Sequence, residues 1–283
     1  MRVLFFHLRR GPLNSLLRFP EWETGIISEL NTASAKLALF PYRPLTSISP
    51  RCIMYGMSLF RRHGHEVAYR TQIPDLSFLQ SFDLLVVHTS MCGHVEEKEA
   101  LTYIRRFVPD IRVLVVGPFA ARFPELFLQS EHLESSTIEF LADAVVMDKA
   151  PEGALYSLAK GEVDPKKMPK RFPCFRWQNI ESLPYPEWEK FSLPSVGPFS
   201  LSGGAYYILY AASVDLQDQG RSPDELIKEV GHHYLNSGLR HFQLFFPQAL
   251  QRADQMREFS RSLKSLAFKL KTTFNWVLYT REQ

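Results

Sequence analysis

Three short runs of unbroken aliphatic residues do most to limit the folds open to this chain. They are Asp83-Leu-Leu-Val-Val-His88, Arg112-Val-Leu-Val-Val-Gly117 and Ala144-Val-Val-Met147. A strand with one wet face alternates apolar and polar residues. These runs do not alternate, so both faces of each are expected to be covered, as in the interior of a parallel sheet. The stretches between them have helical spacing instead. Ala100, Leu101, Ile104 and Phe107 share one helical face, and upstream Ile53, Met57 and Phe60 mark a helix that closes at Gly64. Arg2 to His7 and Glu66 to Arg70 supply two further strands. Strands alternating with amphipathic helices define an α/β fold, and the reading is an open, Rossmann-like parallel-sheet domain from residue 1 to about residue 160.

The segment from Leu8 to Pro50 interrupts that pattern. It has no clear period and carries Pro12, Pro20, Pro41, Pro44 and Pro50 together with Phe19, Trp22, Phe40 and Tyr42. A loop this long in a compact domain is uncommon, and its aromatics suit a packed functional loop as well as they suit filler over the core. Residues 161–200 are proline-rich and carry Lys166-Lys167 and Lys170-Arg171, which reads as a linker. A second α/β region is expected at 201–283. Ala205 to Ala211 is a short apolar strand behind Gly203-Gly204. Ser222, Pro223 and Glu225 form a helix start with a capping box, Leu226, Ile227, Val230 and Tyr234 share a face, and Gly238 ends the helix. His241 to Phe246 is a second strand, Leu250 to Ala267 a second helix, and Phe268 to Tyr279 holds one or two more strands.

Composition narrows the function classes. The chain has 283 residues, 45% hydrophobic and 22% charged, so a packed core is expected rather than disorder. A net charge of +3 gives no footprint for nucleic acid. No run is long and apolar enough to span a membrane, and the polar start is not that of a signal peptide. Cys52, Cys92 and Cys174 are scattered, with no CxxC pair, so neither a disulfide framework nor a zinc site is expected, and a cytoplasmic setting follows. Paired histidines at His63/His65 and His232-His233 read as solvated positions. Cys92 beside His94 lacks an orienting acid for nucleophilic work.

Ligands in open parallel sheets bind outside the carboxyl ends of the strands. Those ends are His7 to Pro12, Thr89 to His94, Gly117 to Arg122 and Asp148 to Gly153. None contains GxGxxG, so a dinucleotide is not expected. Gly117-Pro118-Phe119-Ala120-Ala121-Arg122-Phe123-Pro124-Glu125 is similar to the Gly-Gly-x-His/Phe-Ala-Thr-x-x-Pro-Glu run of the B12-binding domains that precede many radical SAM barrels. Leu59 to Val67, with its Gly64-His65-Glu66-Val67 step, resembles the same domains. So does Asp143 to Leu158, although their Gly-Glu is here Asp148-Lys149. Leu183-Pro184-Tyr185-Pro186-Glu187-Trp188 resembles their Leu-Pro-x-Pro-x-Trp linker, and Leu201 to Val230 resembles the start of the barrel itself. The pieces occur in the family's order over most of the chain.

One departure is decisive for chemistry. The three cysteine positions of the family's cluster loop fall on Ala205, Leu209 and Ala212. A [4Fe–4S] cluster that leaves one iron open needs three thiolates there. Neither the cluster nor S-adenosylmethionine is therefore expected, and no catalytic or metal residue is assigned. The barrel, with about three βα units, is partial. The resemblance implies a cobalamin-binding domain, with Thr89, Ser90, Gly117, Pro118, Phe119, Asp148, Glu152 and Gly153 lining the cofactor and Met91 or Cys92 facing the cobalt. The family's Asp-x-His-x-x-Gly motif is missing, so a lower-ligand histidine from that motif is not expected. The reading is a degenerate radical SAM relative acting as a cofactor-binding, sensory or accessory subunit, with a partner or second copy covering the open barrel edge. The alternatives are a cofactor-free scaffold and a non-radical cobalamin-dependent methyltransferase.

Overall fold

The computed structural model describes residues 1–8, 51–89, 94–129, 131–133, 136–138, 140–148, 151–173, 184–186, 207–210, 221–245 and 252–279. The chain divides into two units, Met1–Trp177 and Gln178–Gln283.

The first unit is an α/β unit on a six-stranded parallel sheet. Its strands are β1 (Arg2–Phe6), β2 (Glu66–Arg70), β3 (Leu84–His88), β4 (Arg112–Val116), β5 (Ala144–Val146) and β6 (Arg171–Phe172), in the order β2-β1-β3-β4-β5-β6. Four helices matter to the site: α1 (Arg51–Arg62), α2 (His94–Phe107), the short α3 (Pro118–Arg122) and α4 (Glu152–Ala159). The aliphatic runs are buried on both faces, as their composition requires. Leu4 and Phe6, Leu85 and Val87, Val113 and Val115, and Val145 form one core with Ala100, Leu101 and Ile104 of α2. Val3 and Phe5 point the other way, where α1 and α4 pack together. There Phe5 meets Phe60 edge-on at 5.7 Å. A Cβ on Gly56 of α1 would stand 2.8 Å from Phe5 and 2.9 Å from Leu155, so only glycine permits that approach.

The sheet extends further along the chain than its composition indicated. Residues 161–173, read as linker, belong to this unit. Pro165–Lys167 is a turn of 3-10 helix, and β6 pairs in parallel with β5 through Val146 and the fully buried Phe172. A small antiparallel hairpin, Glu131–Leu133 against Ser136–Ile138, also has no counterpart in the sequence reading.

Among the described residues, the second unit has three parallel strands, β7 (Tyr207–Tyr210), β8 (His241–Phe245) and β9 (Asn275–Tyr279), in the order β9-β8-β7. They alternate with α5 (Pro223–Ser237) and α6 (Ala253–Lys269). Leu226 and Val230 of α5, Phe242 and Leu244 of β8, and Phe259 and Leu263 of α6 form its core. The start of α5 follows the sequence reading. The Ser222 hydroxyl accepts from the Glu225 N–H at 3.3 Å, Pro223 occupies the first turn, and Gly238 closes the helix at φ 69°. Among the described residues, no helix is long and apolar enough to cross a membrane.

Candidate functional site

In the order β2-β1-β3-β4 the connections leave β1 and β3 toward opposite faces of the sheet, which opens a crevice above their carboxyl ends. The side chains of the first unit mark that edge. Its buried polar side chains among the described residues are His7, Ser58, His88, Thr89, Glu97, Glu152 and Ser157. The two serines are accounted for locally, because each donates to a carbonyl one turn back, on Met54 and Gly153. The other five lie along one edge. His7 follows β1, His88 ends β3, Thr89 comes next, Glu97 is in the first turn of α2, and Glu152 opens α4.

Strand register explains the pairing of the histidines. Phe6 lies opposite Val87, so the next residues, His7 and His88, stand side by side on the α1/α4 face. Their rings meet edge to face at 5.2 Å and 89°, with side-chain burial above nine-tenths for both residues. Gly117, at the end of β4, closes the far side of His88. Its φ of 116° lies in a region few side chains adopt, and a Cβ there would stand 2.9 Å from the Thr89 carbonyl and 3.0 Å from His88 Nε2. Thr89 donates its N–H to the Val116 carbonyl at 3.1 Å, while its buried hydroxyl has no hydrogen-bond partner among the described residues.

The same edge carries an aromatic ledge at the start of α2 and α3. The Phe119 ring lies 5.0 Å from His94, 5.2 Å from Phe123 and 6.5 Å from Phe127. Phe127 is fully buried, whereas Phe123 is 47% exposed, so the cluster runs from the core to the surface.

The sequence-derived site residues divide accordingly. Thr89, Gly117, Pro118 and Phe119 lie together at the ends of β3 and β4. Asp148 follows β5 and is half-buried, and Glu152 and Gly153 are buried in the first turn of α4. Ser90, Met91 and Cys92 lie outside the described residues, as do Ala205 and Ala212; Leu209 is in β7. His7 lies in one of the strand ends named from the sequence but was not assigned to the cofactor, and His88 and Glu97 were not singled out for the site. The signal for the histidines was present: each ends a strand run, and the strand order brings them together.

The amino edge of the same sheet is different in kind. Asp143 accepts from Arg105 Nη2 at 2.5 Å, Arg112 Nη1 at 2.9 Å and the Val113 N–H at 2.7 Å. Burial would raise its carboxyl, but the Arg105 charge, the Val113 N–H and the two arginine hydrogen bonds outweigh that and hold it below the ordinary carboxylate range. Arg105 also donates to the carbonyls of Leu141 and Ile111 at 3.0 and 2.9 Å. This network ties β4 to β5, and its carboxylate is fully engaged.

The second unit buries a polar cluster on α5. Arg221 and Glu229 form an ion pair with both side chains almost fully enclosed, and His233 Nε2 lies 3.5 Å from Glu229 Oε1. Burial pushes the Glu229 carboxyl up, but the Arg221 charge and His233 outweigh it and hold it down. Tyr185, read as linker, instead packs on α5. Its ring lies 5.7 Å from the Arg221 guanidinium carbon and 5.2 Å from His232, and its hydroxyl donates to Glu225 at 3.3 Å. Burial and the Glu225 charge raise the Tyr185 phenol. No group of three or more His, Cys, Asp or Glu side chains among the described residues is arranged to hold a metal ion.

The chain matches no family model, and no curated protein matches it. The fold and the site define a doubly wound parallel α/β unit with a polar and aromatic carboxyl edge, and its function is read from that edge.

Proposed function

We propose that the first unit binds a corrinoid at the carboxyl edge of its sheet. On this reading the protein is a cofactor-binding, sensory or accessory relative of B12-dependent radical SAM proteins, working without their iron–sulfur cluster. The observation that carries the reading is the gathering of His7, His88, Thr89, Glu97 and Glu152, all buried, along the one edge of a 2-1-3-4 sheet where such folds take ligands. At the opposite edge the hydrogen bonds of Asp143 are supplied by the protein itself. The Thr89 hydroxyl is not satisfied among the described residues. The Phe119–Phe123 ledge supplies apolar area beside it, and a corrin needs such a mixture because its wide ring is apolar and its rim carries amide arms.

A bound corrinoid supplies a cobalt centre that can carry a methyl group. In this chain Thr89 would bind a polar arm, the aromatic ledge would exclude water from the ring, and the His7–His88 pair would lie under the crevice. The second unit is proposed to be a shortened barrel, with three parallel strands in chain order. Among the described residues β7 and β9 are its edge strands, and exposed parallel edges call for a cover, here a partner or a second copy.

A cofactor-free scaffold is the second reading, and one observation favours it. Gly117 is required by its positive φ and by the approach of Thr89 and His88, so its missing side chain is explained without a ligand. A visible-absorption titration of the purified protein with aquocobalamin, with iron assayed on the same sample, separates the two. Saturable binding at one equivalent without iron supports the corrinoid reading. No binding supports the scaffold, and stoichiometric iron contradicts the loss of the cluster.

A further inference from the structure

The two most exposed large hydrophobic side chains among the described residues lie in the second unit, at the ends of neighbouring helices. Phe268, in the last turn of α6, is 86% exposed, and Leu235, in the last turn of α5, is 72% exposed. We propose that this end of the second unit docks on the surface of an anionic lipid bilayer, with Phe268 and Leu235 entering the interface and the surrounding cations meeting the headgroups. The proposal is independent of the corrinoid reading, which concerns the first unit.

The topology sets the two side chains on one surface. β7, β8 and β9 are parallel and follow one another across the sheet, so α5 and α6 run alongside each other in the same direction. They pack together where Gly231 faces Leu266, whose side chain lies 3.8 Å from the position a Cβ would take. Leu235 and Phe268 follow within a turn of that contact. Phe259 and Leu263 are the core side of α6. Arg257, Arg261, Lys264 and Phe268 recur at helical spacing on the opposite side, and all four are exposed.

Charge supplies the complement. Between residues 259 and 279 the chain carries Arg261, Lys264, Lys269 and Lys271 and no Asp or Glu, and Arg240 follows α5. All five are exposed. Arg257 is paired with Asp254 at 2.8 Å, whereas none of these five has an ion-pair partner among the described residues. The acidic residues of the two helices, Asp224, Glu225, Glu229, Asp254 and Glu258, lie in their amino-terminal halves. The whole chain has 33 Lys and Arg against 30 Asp and Glu, so the excess is local. A cation in a last helical turn offsets the helix dipole, which accounts for Lys269 but not for two apolar side chains beside it.

These features fit a bilayer better than an acidic protein. The apolar pair projects from helix ends, and a protein partner would need a shaped hollow for each side chain. A lipid interface takes such projections without one, and the methylene stems of lysine and arginine lie along the apolar boundary while their charges reach the headgroups. Peripheral binding strengthens with the apolar area inserted and with attraction to anionic lipid, and this surface supplies both.

The test sediments the protein with phosphatidylcholine vesicles made with and without phosphatidylserine. The expected result is binding only where phosphatidylserine is present, lost as salt rises from about 0.1 M to 1 M and the screening length falls from about 10 to 3 Å. Arg261→Gln combined with Lys264→Gln is expected to weaken binding about 25-fold, at about fivefold per cation. Phe268→Ser is expected to weaken it about tenfold. Circular dichroism melting checks that these surface variants fold. Lys166→Gln combined with Lys167→Gln changes the net charge equally on exposed residues of the first unit and should leave binding unchanged. In Phe268→Trp, lipid brominated near the headgroup should quench fluorescence beyond that of the wild type. Absence of phosphatidylserine-dependent binding overturns the proposal. If vesicles fail to bind while immobilised polyglutamate retains the wild type and releases the Arg261–Lys264 variant, the surface belongs to an acidic protein instead. An equal loss in the Lys166–Lys167 variant overturns the location.

Discussion

Replacing Asp143 by alanine is expected to loosen the first unit more than any other single change at the amino edge of its sheet. The carboxylate accepts three hydrogen bonds, two of them from arginines. The Arg105 and Val113 bonds are enclosed, and a bond to a charged group contributes about 1.5–3 kcal/mol. Arg112 is 41% exposed, so its pair adds at most about 1 kcal/mol. Losing the carboxylate also strands the Arg105 guanidinium, which is 8% exposed. Breaking a buried pair in this way costs about 3–5 kcal/mol. Arg105 keeps its bonds to the carbonyls of Leu141 and Ile111, which places Asp143→Ala near the lower end, about 3 kcal/mol. Arg112→Ala should cost less than about 1 kcal/mol. Because the folded carboxyl lies below its unfolded value near 3.9, the contribution is complete above roughly pH 4 and fades as pH falls through the folded value. Hydrogen exchange of the amides at 112–116, together with guanidinium denaturation at pH 7 and pH 3, measures both effects. Equal losses for Asp143→Ala and Arg112→Ala, or an unchanged acid response in Asp143→Asn, would refute the reasoning.

Three further outcomes follow from the same geometry. Gly117→Ala should destabilise the first unit by about 2 kcal/mol through its positive φ and the clash with Thr89 and His88, read as a lower denaturation midpoint. Glu229→Ala leaves the Arg221 charge enclosed and should cost about 3–5 kcal/mol in the second unit, with Glu229→Gln intermediate. The Glu229 carboxyl is held down when folded, so its contribution is present at neutral pH and lost in acid, which a pH series of thermal melts on wild type and Glu229→Gln would show. Ser222→Ala removes the α5 cap and should cost about 1 kcal/mol, visible in the same melts.

Much of the fold was legible because burial on both faces leaves a direct mark on composition. The runs at 84–88, 112–116 and 144–146 could be little else than inner parallel strands, and Ser222-Pro223 with Gly238 bracketed α5. β6 was not legible, since Arg171–Phe172 is too short to show a period and its place rests on one buried ring against β5. Tyr185 sits between two prolines, which reads as linker; its contacts with Arg221 and Glu225 are tertiary and leave no local pattern. The candidate site was half legible. Strand ends named His7, Thr89, Gly117 and Glu152, but His7 and His88 are far apart in sequence and become a pair only once β1 lies beside β3. Asp143 was read as the first residue of a strand motif, and its arginine partners could not be known before β4 and β5 were placed together.

The most direct measurement of the central claim is hydrogen–deuterium exchange of the protein with and without saturating hydroxocobalamin. The account predicts protection at residues 86–89 and 115–122, with the Asp143 edge unchanged. Absence of protection, or protection confined to residues 207–279, would contradict it.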